Sequence, residues 1–463
     1  MSPNKITTDY TKQLSKYMAD FDYVHIPEEV IERAKMLTLH TIGVSLASAS
    51  LPQAQGALKC ARSLNGGTGG TATVWLTGEK LSPAAAAFVN GTASDILDWE
   101  DCAWTGHPCA GVIPSALAVA QDRHRSGKDF LAAVVSGFEC YLRVGMSVQP
   151  PADYDHGKGW GIVSWQIFAS SMPAAKLMGF HESQFNQAIG VSCIYTPIPS
   201  NLLMGTMSNC YHYQQGMVNV SGILGCLNVE AGFDNLKDGL DNINGYSEKL
   251  TEEEKRYWLT KDLDKFLMMK ILVKHWPANM WIQTPIELVY DMRQAYSIVP
   301  EDIQEIIIDP PTQYRMHFYE EGFSSLMDAQ FSMPYCIATM FYGGKPGAEW
   351  FDEKLYTAPK IIDLARKVKP GPSAEDSLQT SFIQFQNGDY PMKKVTITMK
   401  DGTVYEGCMD KHKGHPDNMM NREEFCQLFM KNADCVLNSE QAEKLMNQIL
   451  DIENINDLAE IFN

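Results

Sequence analysis

The chain has 463 residues, of which 45% are hydrophobic and 20% charged, and this is ordinary for a folded globular protein of about two domains. Its formal net charge of -18 argues against nucleic acid and anionic membranes as partners, because both require a basic surface. The 11 cysteines form no CxxC pair, so neither a zinc site nor a disulfide framework is indicated.

The first 30 residues are polar and amphipathic, and they lack the apolar core of a secretory signal. Elsewhere, no run of apolar residues is long enough to suggest a membrane span. A cytoplasmic protein with no membrane partner is therefore expected.

Most of the first 295 residues are predicted to be helical. Apolar residues recur at three- and four-residue spacing, and Ala, Gly and Ser are frequent on the apolar faces. Small residues let helices approach closely, which indicates a dense helical core. The clearest segments are EEVIERAKMLTLHTIGVSLASAS, SPAAAAFVNGTASDILDWED, GVIPSALAVAQDRHRSG and KDFLAAVVSGFECYLRVGMSV.

The pattern changes after residue 295. PEDIQEIIIDPP is a short β-rich run that ends in two prolines, and it is predicted to be a strand. In KKVTITMKDGTVYEGCMD, Val395, Ile397 and Met399 alternate with polar residues, and Asp401-Gly402 supplies a tight turn before a returning strand. This pattern is typical of a β-hairpin, and the tail that follows it has helical spacing again.

The order of these elements predicts a mainly α fold. A large all-helical domain over residues 1–269 is followed by a smaller α+β lid domain over residues 270–410. The C-terminal helices of residues 411–463 return to the helical domain, which is therefore discontinuous in sequence.

The stretch LDWEDCAWTGHPCAG combines acids, tryptophans and one histidine. If a helix continues into it, Asp95, Asp98 and Asp101 lie nearly on one face. Buried together, such carboxylates raise one another's pKa, which favours a proton acceptor, whereas charge alone favours a solvated acidic face. His107 precedes a predicted helix, where it is placed to act as an acid, a base or a hydrogen-bond donor, although histidines at such places are more often structural.

Two further stretches contain candidate residues. YDHGKGWGIVSWQ places His156 and Trp160 among three glycines, which predicts either a backbone that approaches a ligand closely or a plain loop. ILVKHWPANMWIQTPIE places Lys274 inside an otherwise apolar run. A lysine in such a run binds an anion or, more commonly, extends its ammonium group to water.

Together these stretches resemble the MmgE/PrpD family, which includes 2-methylcitrate dehydratase, cis-aconitate decarboxylase and iminodisuccinate epimerase. The resemblance covers nearly the whole chain, and its most specific part is LDWED followed by GHP. It implies a large helical domain, a smaller α+β lid, a homodimer and an active site between the domains. It also implies chemistry beside a carboxylate that needs no metal and no cofactor.

The resemblance also assigns the predicted catalytic residues. Asp98 matches the family's active-site aspartate, His107 the histidine of its HP motif, and Lys274 the lysine before the aromatic-Pro pair. Asp98 and His107 are thus the predicted acid/base pair. Lys274 is predicted to bind the carboxylate of a small carboxylic acid substrate and to stabilise the charge that develops on it.

Two positions depart from the family pattern. Gly159-Trp160-Gly161 lacks the histidine that decarboxylase-like members carry after the Gly-aromatic pair, although His156 is close in sequence. Tyr211, beside His212, stands where members carry a lysine, so both are predicted as replacement donors. The predicted substrate-binding set is therefore His156, Trp160, Tyr211, His212 and Asp101.

The predicted function is a lyase that removes water from a hydroxy carboxylic acid after abstraction of an α-proton. Decarboxylation and epimerisation begin with the same charge development, and they remain alternatives, although the missing histidine counts against a decarboxylase. An alternative of another class is a catalytically altered member that binds a metabolite or a partner through the same cleft.

Overall fold

The computed structural model describes residues 9–67, 69–103, 106–148, 163–196, 207–233, 236–242, 245–251, 254–374, 383–384 and 392–462. Helices predominate, and the predicted mainly α fold is confirmed. In chain order they are α1 (Tyr10–Asp20), α2 (Glu28–Ala47), α3 (Pro52–Leu64), α4 (Pro83–Asp95), α5 (Cys109–Asp122), α6 (Gly127–Val148), α7 (Val163–Leu177), α8 (Glu182–Tyr195), α9 (Cys210–Glu230), α10 (Tyr246–Leu250), α11 (Gln283–Ala295), α12 (Leu326–Gln330), α13 (Met333–Tyr342), α14 (Pro359–Ala365), α15 (Arg422–Ala433) and α16 (Ser439–Leu450).

The strands are short and form three separate sheets in the described part of the chain. They are β1 (Ala72–Thr73), β2 (Lys80–Leu81), β3 (Asp101–Cys102), β4 (Leu272–Val273), β5 (Ile303–Asp309), β6 (Val368–Pro370), β7 (Lys393–Met399) and β8 (Val404–Met409). β1 pairs with β2 and β3 pairs with β4, whereas the other four form one sheet in the order β6-β5-β7-β8.

Small residues bring the central helices together, as the sequence predicted. At Gly216 in α9 an added Cβ would lie 2.3 Å from the Thr92 side chain of α4, and at Gly222 it would lie 2.0 Å from Ser170 of α7. No real side chain tolerates such distances. These glycines therefore allow α9 to pack directly against α4 and α7, next to the candidate site.

Helix α6 is the one described helix that is long and apolar enough to cross a membrane by length and composition. All of its apolar window is buried inside the protein. Core helices of globular proteins pass the same test, so burial explains the composition of α6 without a membrane.

The four-stranded sheet contains the predicted hairpin. β7 pairs with β8 in an antiparallel register, with Val395 opposite Gly407 and Ile397 opposite Tyr405. Alternate residues of β7 are buried, and Gly402 adopts a left-handed φ of 88° in the turn between the strands. β5 pairs antiparallel with β7 and parallel with β6, so the strand predicted at residues 303–309 is central in the sheet.

The C-terminal helices lie against the N-terminal ones, as expected for a discontinuous helical domain. An added Cβ at Gly43 of α2 would lie 3.2 Å from the Phe429 ring of α15, and Lys35 of α2 forms an ion pair of 2.5 Å with Glu453. The domain boundaries at residues 269 and 410 stay predictions.

Candidate active site

A short β-bridge brings the two most specific stretches of the sequence together. Helix α4 ends at Asp95, so the predicted helical continuation to Asp101 is wrong. Asp98 has a φ of 48°, a left-handed value that a helix interior does not accept. The chain then forms β3, in which Asp101 pairs with Val273 of β4 and thereby places Lys274 beside the acidic stretch.

Lys274 lies fully buried between two carboxylates. Its Nζ donates hydrogen bonds to Asp98 Oδ1 and, over 2.5 Å, to Glu100 Oε1. Burial lowers the pKa of Lys274, but the two carboxylates raise it more, to well above the usual value for lysine. Lys274 is therefore a fixed cation whose described partners are Asp98 and Glu100, and its predicted contact with a substrate carboxylate stays a prediction.

Glu100, rather than Asp98, is the carboxylate that contacts His107. Glu100 Oε1 accepts a hydrogen bond from His107 Nδ1 over 2.6 Å. Burial and Lys274 lower the pKa of His107, but Glu100 and Asp95 outweigh them and raise it to about 8. These carboxylates favour the imidazolium form of His107, and that form is suited to donate a proton.

The second ring nitrogen of His107 contacts Tyr211. His107 Nε2 lies 3.1 Å from Tyr211 Oη, and the ring of Tyr211 packs edge-on against Phe331. Helix α9 carries Tyr211 and α12 precedes Phe331, so residues distant in sequence form this side of the site. The structure thus brings Tyr211 to His107, and its predicted role as a substrate donor stays a prediction.

Asp98 is also held by the part of the chain after β4. Asn279 Nδ2 donates to Asp98 Oδ2 over 3.5 Å, and Asn279 Oδ1 accepts from Arg315 Nε over 2.9 Å. These contacts leave Asp98 with defined partners on both oxygens, in agreement with a role in orienting Lys274.

Asp101 is buried behind His107, where it fixes the start of α5. Its Oδ1 accepts a hydrogen bond from the Cys109 backbone over 3.0 Å. Burial raises the pKa of Asp101 to about 7. The predicted raised carboxyl pKa thus falls on Asp101, with burial as its main cause rather than the adjacent acids.

His212 lies behind Tyr211 and is fully buried. Its Nδ1 is 2.9 Å from Asp95 Oδ2, and its Nε2 is 3.1 Å from Gln330 Oε1. Both ring nitrogens therefore contact protein groups rather than an open cleft. The predicted substrate-binding residues His156 and Trp160 lie outside the described residues.

Three residues of this network were not singled out from the sequence. Glu100 is part of the acidic run 98–101, and that run could have identified it as a candidate site residue. Asn279 and Gln330 are uncharged, and no local pattern marks them. His40, which stands where many members of the family carry an aspartate, is also buried; its Nε2 donates to the Trp99 carbonyl over 2.8 Å, and burial lowers its pKa to about 4.

Asp95, Glu100 and His107 form the one group among the described residues that is able to hold a metal ion, with ligand atoms within 4.8 Å of one another. Lys274 already places an ammonium group 2.5 Å from Glu100 Oε1, and a divalent cation would meet its repulsion. The donor set consequently fits proton transfer better than metal binding.

Comparisons with known proteins match both halves of the chain. The MmgE/PrpD N-terminal domain matches residues 12–258, and the MmgE/PrpD C-terminal domain matches residues 276–452. The cis-aconitate decarboxylase of Aspergillus terreus is 24% identical over 97% of this chain and 94% of its own length. The human cis-aconitate decarboxylase is 23% identical, with coverage of 94% and 89%.

Proposed function

Since the chain belongs to the MmgE/PrpD family, we propose that it is a lyase that removes carbon dioxide from an unsaturated carboxylic acid by side-chain acid catalysis. The observation that carries this proposal is the 2.6 Å contact between Glu100 and His107, which keeps the imidazole protonated. Loss of carbon dioxide leaves a carbanion, and a carbanion requires a proton donor.

The same geometry favours decarboxylation over the dehydration that the sequence suggested first. Dehydration through α-proton abstraction begins with a base. His107 is mainly protonated at neutral pH, and Asp98 and Glu100 both accept hydrogen bonds from the buried Lys274. The decarboxylase relatives support the same choice.

In the proposed reaction the bond between the carboxylate carbon and its neighbour breaks. The electron pair moves into the adjacent unsaturated carboxylate, and carbon dioxide leaves. His107 Nε2, on the Tyr211 side of the ring, supplies the proton to carbon, while Glu100 holds Nδ1. The neutral imidazole then regains a proton from solvent. Lys274 supplies the fixed positive charge of the site.

Proton NMR in D₂O with a panel of acids tests this proposal. We expect an unsaturated di- or tricarboxylate such as cis-aconitate to lose carbon dioxide and to gain one deuterium on carbon. Loss of water from citrate or 2-methylcitrate would instead support the dehydratase. No reaction across the panel from folded protein would favour the catalytically altered, ligand-binding alternative, to which the Tyr211 departure from the family lysine points.

The pH dependence follows from the raised pKa of His107. The acid form is abundant below about 8 and is lost as the pH rises through that value. We therefore expect kcat/KM to be nearly constant up to about pH 7, to be halved near pH 8 and to fall tenfold per pH unit well above it. An alkaline limb centred near the ordinary histidine value of 6.5 would contradict the assignment.

We further propose that the protein is a homodimer and that the second copy covers an apolar surface on α8 and α9. Seven large apolar side chains on these two helices and in the segment just after α9 are each more than a third exposed: Ile194, Tyr195, Met217, Leu224, Leu227, Phe233 and Leu236. Exposed apolar surface of this extent usually marks an interface. A chain of net charge -18 also associates with its own copy best through an uncharged face.

Leu224→Glu is expected to convert the dimer into a monomer, because it places two carboxylates in the proposed apolar contact. Light scattering after size-exclusion chromatography measures the mass. Leu64→Glu on α3 is the matched control, since Leu64 is 60% exposed and lies outside this surface. A monomeric wild-type protein, or a variant that stays dimeric, would contradict the assignment.

A further inference from the structure

A second buried pair of a histidine and a carboxylate lies next to the candidate site. His212 and Asp95 are both at most 1% exposed, and His212 Nδ1 lies 2.9 Å from Asp95 Oδ2. On its far side, His212 Nε2 lies 3.1 Å from Gln330 Oε1. Gln330 belongs to the half matched by the C-terminal family domain, and the other two residues belong to the N-terminal half.

The orientation of Gln330 decides which groups donate. Its Nε2 donates to the Ile96 carbonyl over 2.7 Å, so its Oε1 faces His212 as an acceptor. His212 Nε2 must therefore carry a proton. A second proton lies between His212 Nδ1 and the Asp95 carboxylate, because neither can accept from the other without it.

Asp95 also faces the catalytic histidine. One of its oxygens lies within 4.8 Å of both a Glu100 oxygen and a ring nitrogen of His107. Asp95 Oδ1 is buried and has no hydrogen-bond partner among the described residues. The carboxylate of Asp95 raises the pKa of His107 and so favours its protonated form.

We propose that His212 is a positioning residue that holds Asp95 in place beside His107, so that the Gln330–His212–Asp95 network sets the proton affinity of His107. This inference rests on the proposed function only in treating His107 as the proton donor. Because Gln330 comes from the C-terminal half, correct packing of the two halves is required for that proton affinity.

Other charged and titratable groups face the two histidines, and they stay unchanged in the test. Around His107 they are Glu100 and Asp101 from the loop and strand after α4, Lys274 after β4, and Tyr211 from α9. Around His212 they are Asp95 and the edge of the Tyr211 ring.

Nitrogen NMR of protein labelled with ¹⁵N-histidine tests the inference without substrate. In the wild type we expect both nitrogens of His212 to give signals of the protonated, pyrrole type at neutral pH. His212→Gln should lower the titration midpoint of His107 by about 1 pH unit, because Asp95 loses the contact that holds its carboxylate near His107. Asp95→Asn should lower it by a similar amount.

The double variant Asp95→Asn/His212→Gln should show no larger shift than either single variant, since the two residues act as one unit. His412→Gln is the control, because it removes a buried histidine elsewhere and should leave His107 unchanged. The wild-type spectrum decides the protonation of His212 even where a variant fails to fold.

Three results would overturn the inference: a pyridine-type nitrogen on wild-type His212 at neutral pH, an unchanged or raised His107 midpoint in folded His212→Gln, or additive shifts in the double variant. Loss of the proposed lyase activity alone would not, because the titration needs no turnover. The two proposals therefore fail separately.

Discussion

Replacement of His107 by glutamine is expected to lower kcat for carbon dioxide release by about 10²–10⁴-fold, the usual loss when a general acid is removed. Glutamine retains a donor for Glu100 and fills similar space, but it has no proton to transfer at neutral pH. Steady-state assays of the purified variant measure the effect. Its unfolding midpoint should stay close to that of the wild type.

His412→Gln is the matched control for this substitution. His412 is also buried, and burial lowers its pKa to about 4. Its replacement therefore removes a buried imidazole ring but no group that donates a proton at neutral pH. We expect activity within about threefold of the wild type, since no contact among the described residues joins His412 to His107, Glu100 or Lys274. Equal losses in the two variants would show that the effect of His107→Gln is structural.

The largest expected effect on stability comes from Lys274→Met. The substitution leaves Asp98 and Glu100 buried without their cation, and removal of one partner from a buried ion pair costs about 3–5 kcal/mol of unfolding free energy. Urea unfolding followed by circular dichroism measures it. Lys394→Met is the surface control, because its ion pair with Glu406 is about half exposed and contributes little to stability.

A compensating variant distinguishes the effect of the unpaired carboxylates on stability from the effect of losing the lysine side chain. Lys274→Met combined with Asp98→Asn and Glu100→Gln removes the unpaired charges, and we expect it to recover most of the lost unfolding free energy. Activity should remain lost, because Glu100 no longer supports His107. A triple variant that is less stable than Lys274→Met would contradict the view that unpaired carboxylates cause the instability.

Local sequence patterns predicted much of the fold. The alternation of Val395, Ile397 and Met399 before Asp401-Gly402 indicates a hairpin by itself, because side chains on a strand alternate between faces. Helical spacing identified α2, α5 and α6 in the same way. These features depend on neighbours within a few residues.

The candidate site was only partly predictable, because its contacts join residues that are far apart in the sequence. The sequence indicated that Asp98, His107 and Lys274 belong together, and the structure places them in one cluster. Which carboxylate contacts His107 depends on the left-handed turn at Asp98 and on the pairing of β3 with β4, about 170 residues apart. Gln330 is a similar case, since an uncharged residue has no local signature.

The most direct test of the proposed chemistry is release of ¹³CO₂ from carboxyl-labelled cis-aconitate between pH 6 and pH 9, with wild-type protein and Glu100→Gln. We expect the wild type to release carbon dioxide with an alkaline limb near pH 8, and the variant to lose activity at a lower pH because His107 no longer has its carboxylate partner. Water loss without carbon dioxide, or the same alkaline limb in both proteins, would contradict His107 as an acid that Glu100 keeps protonated.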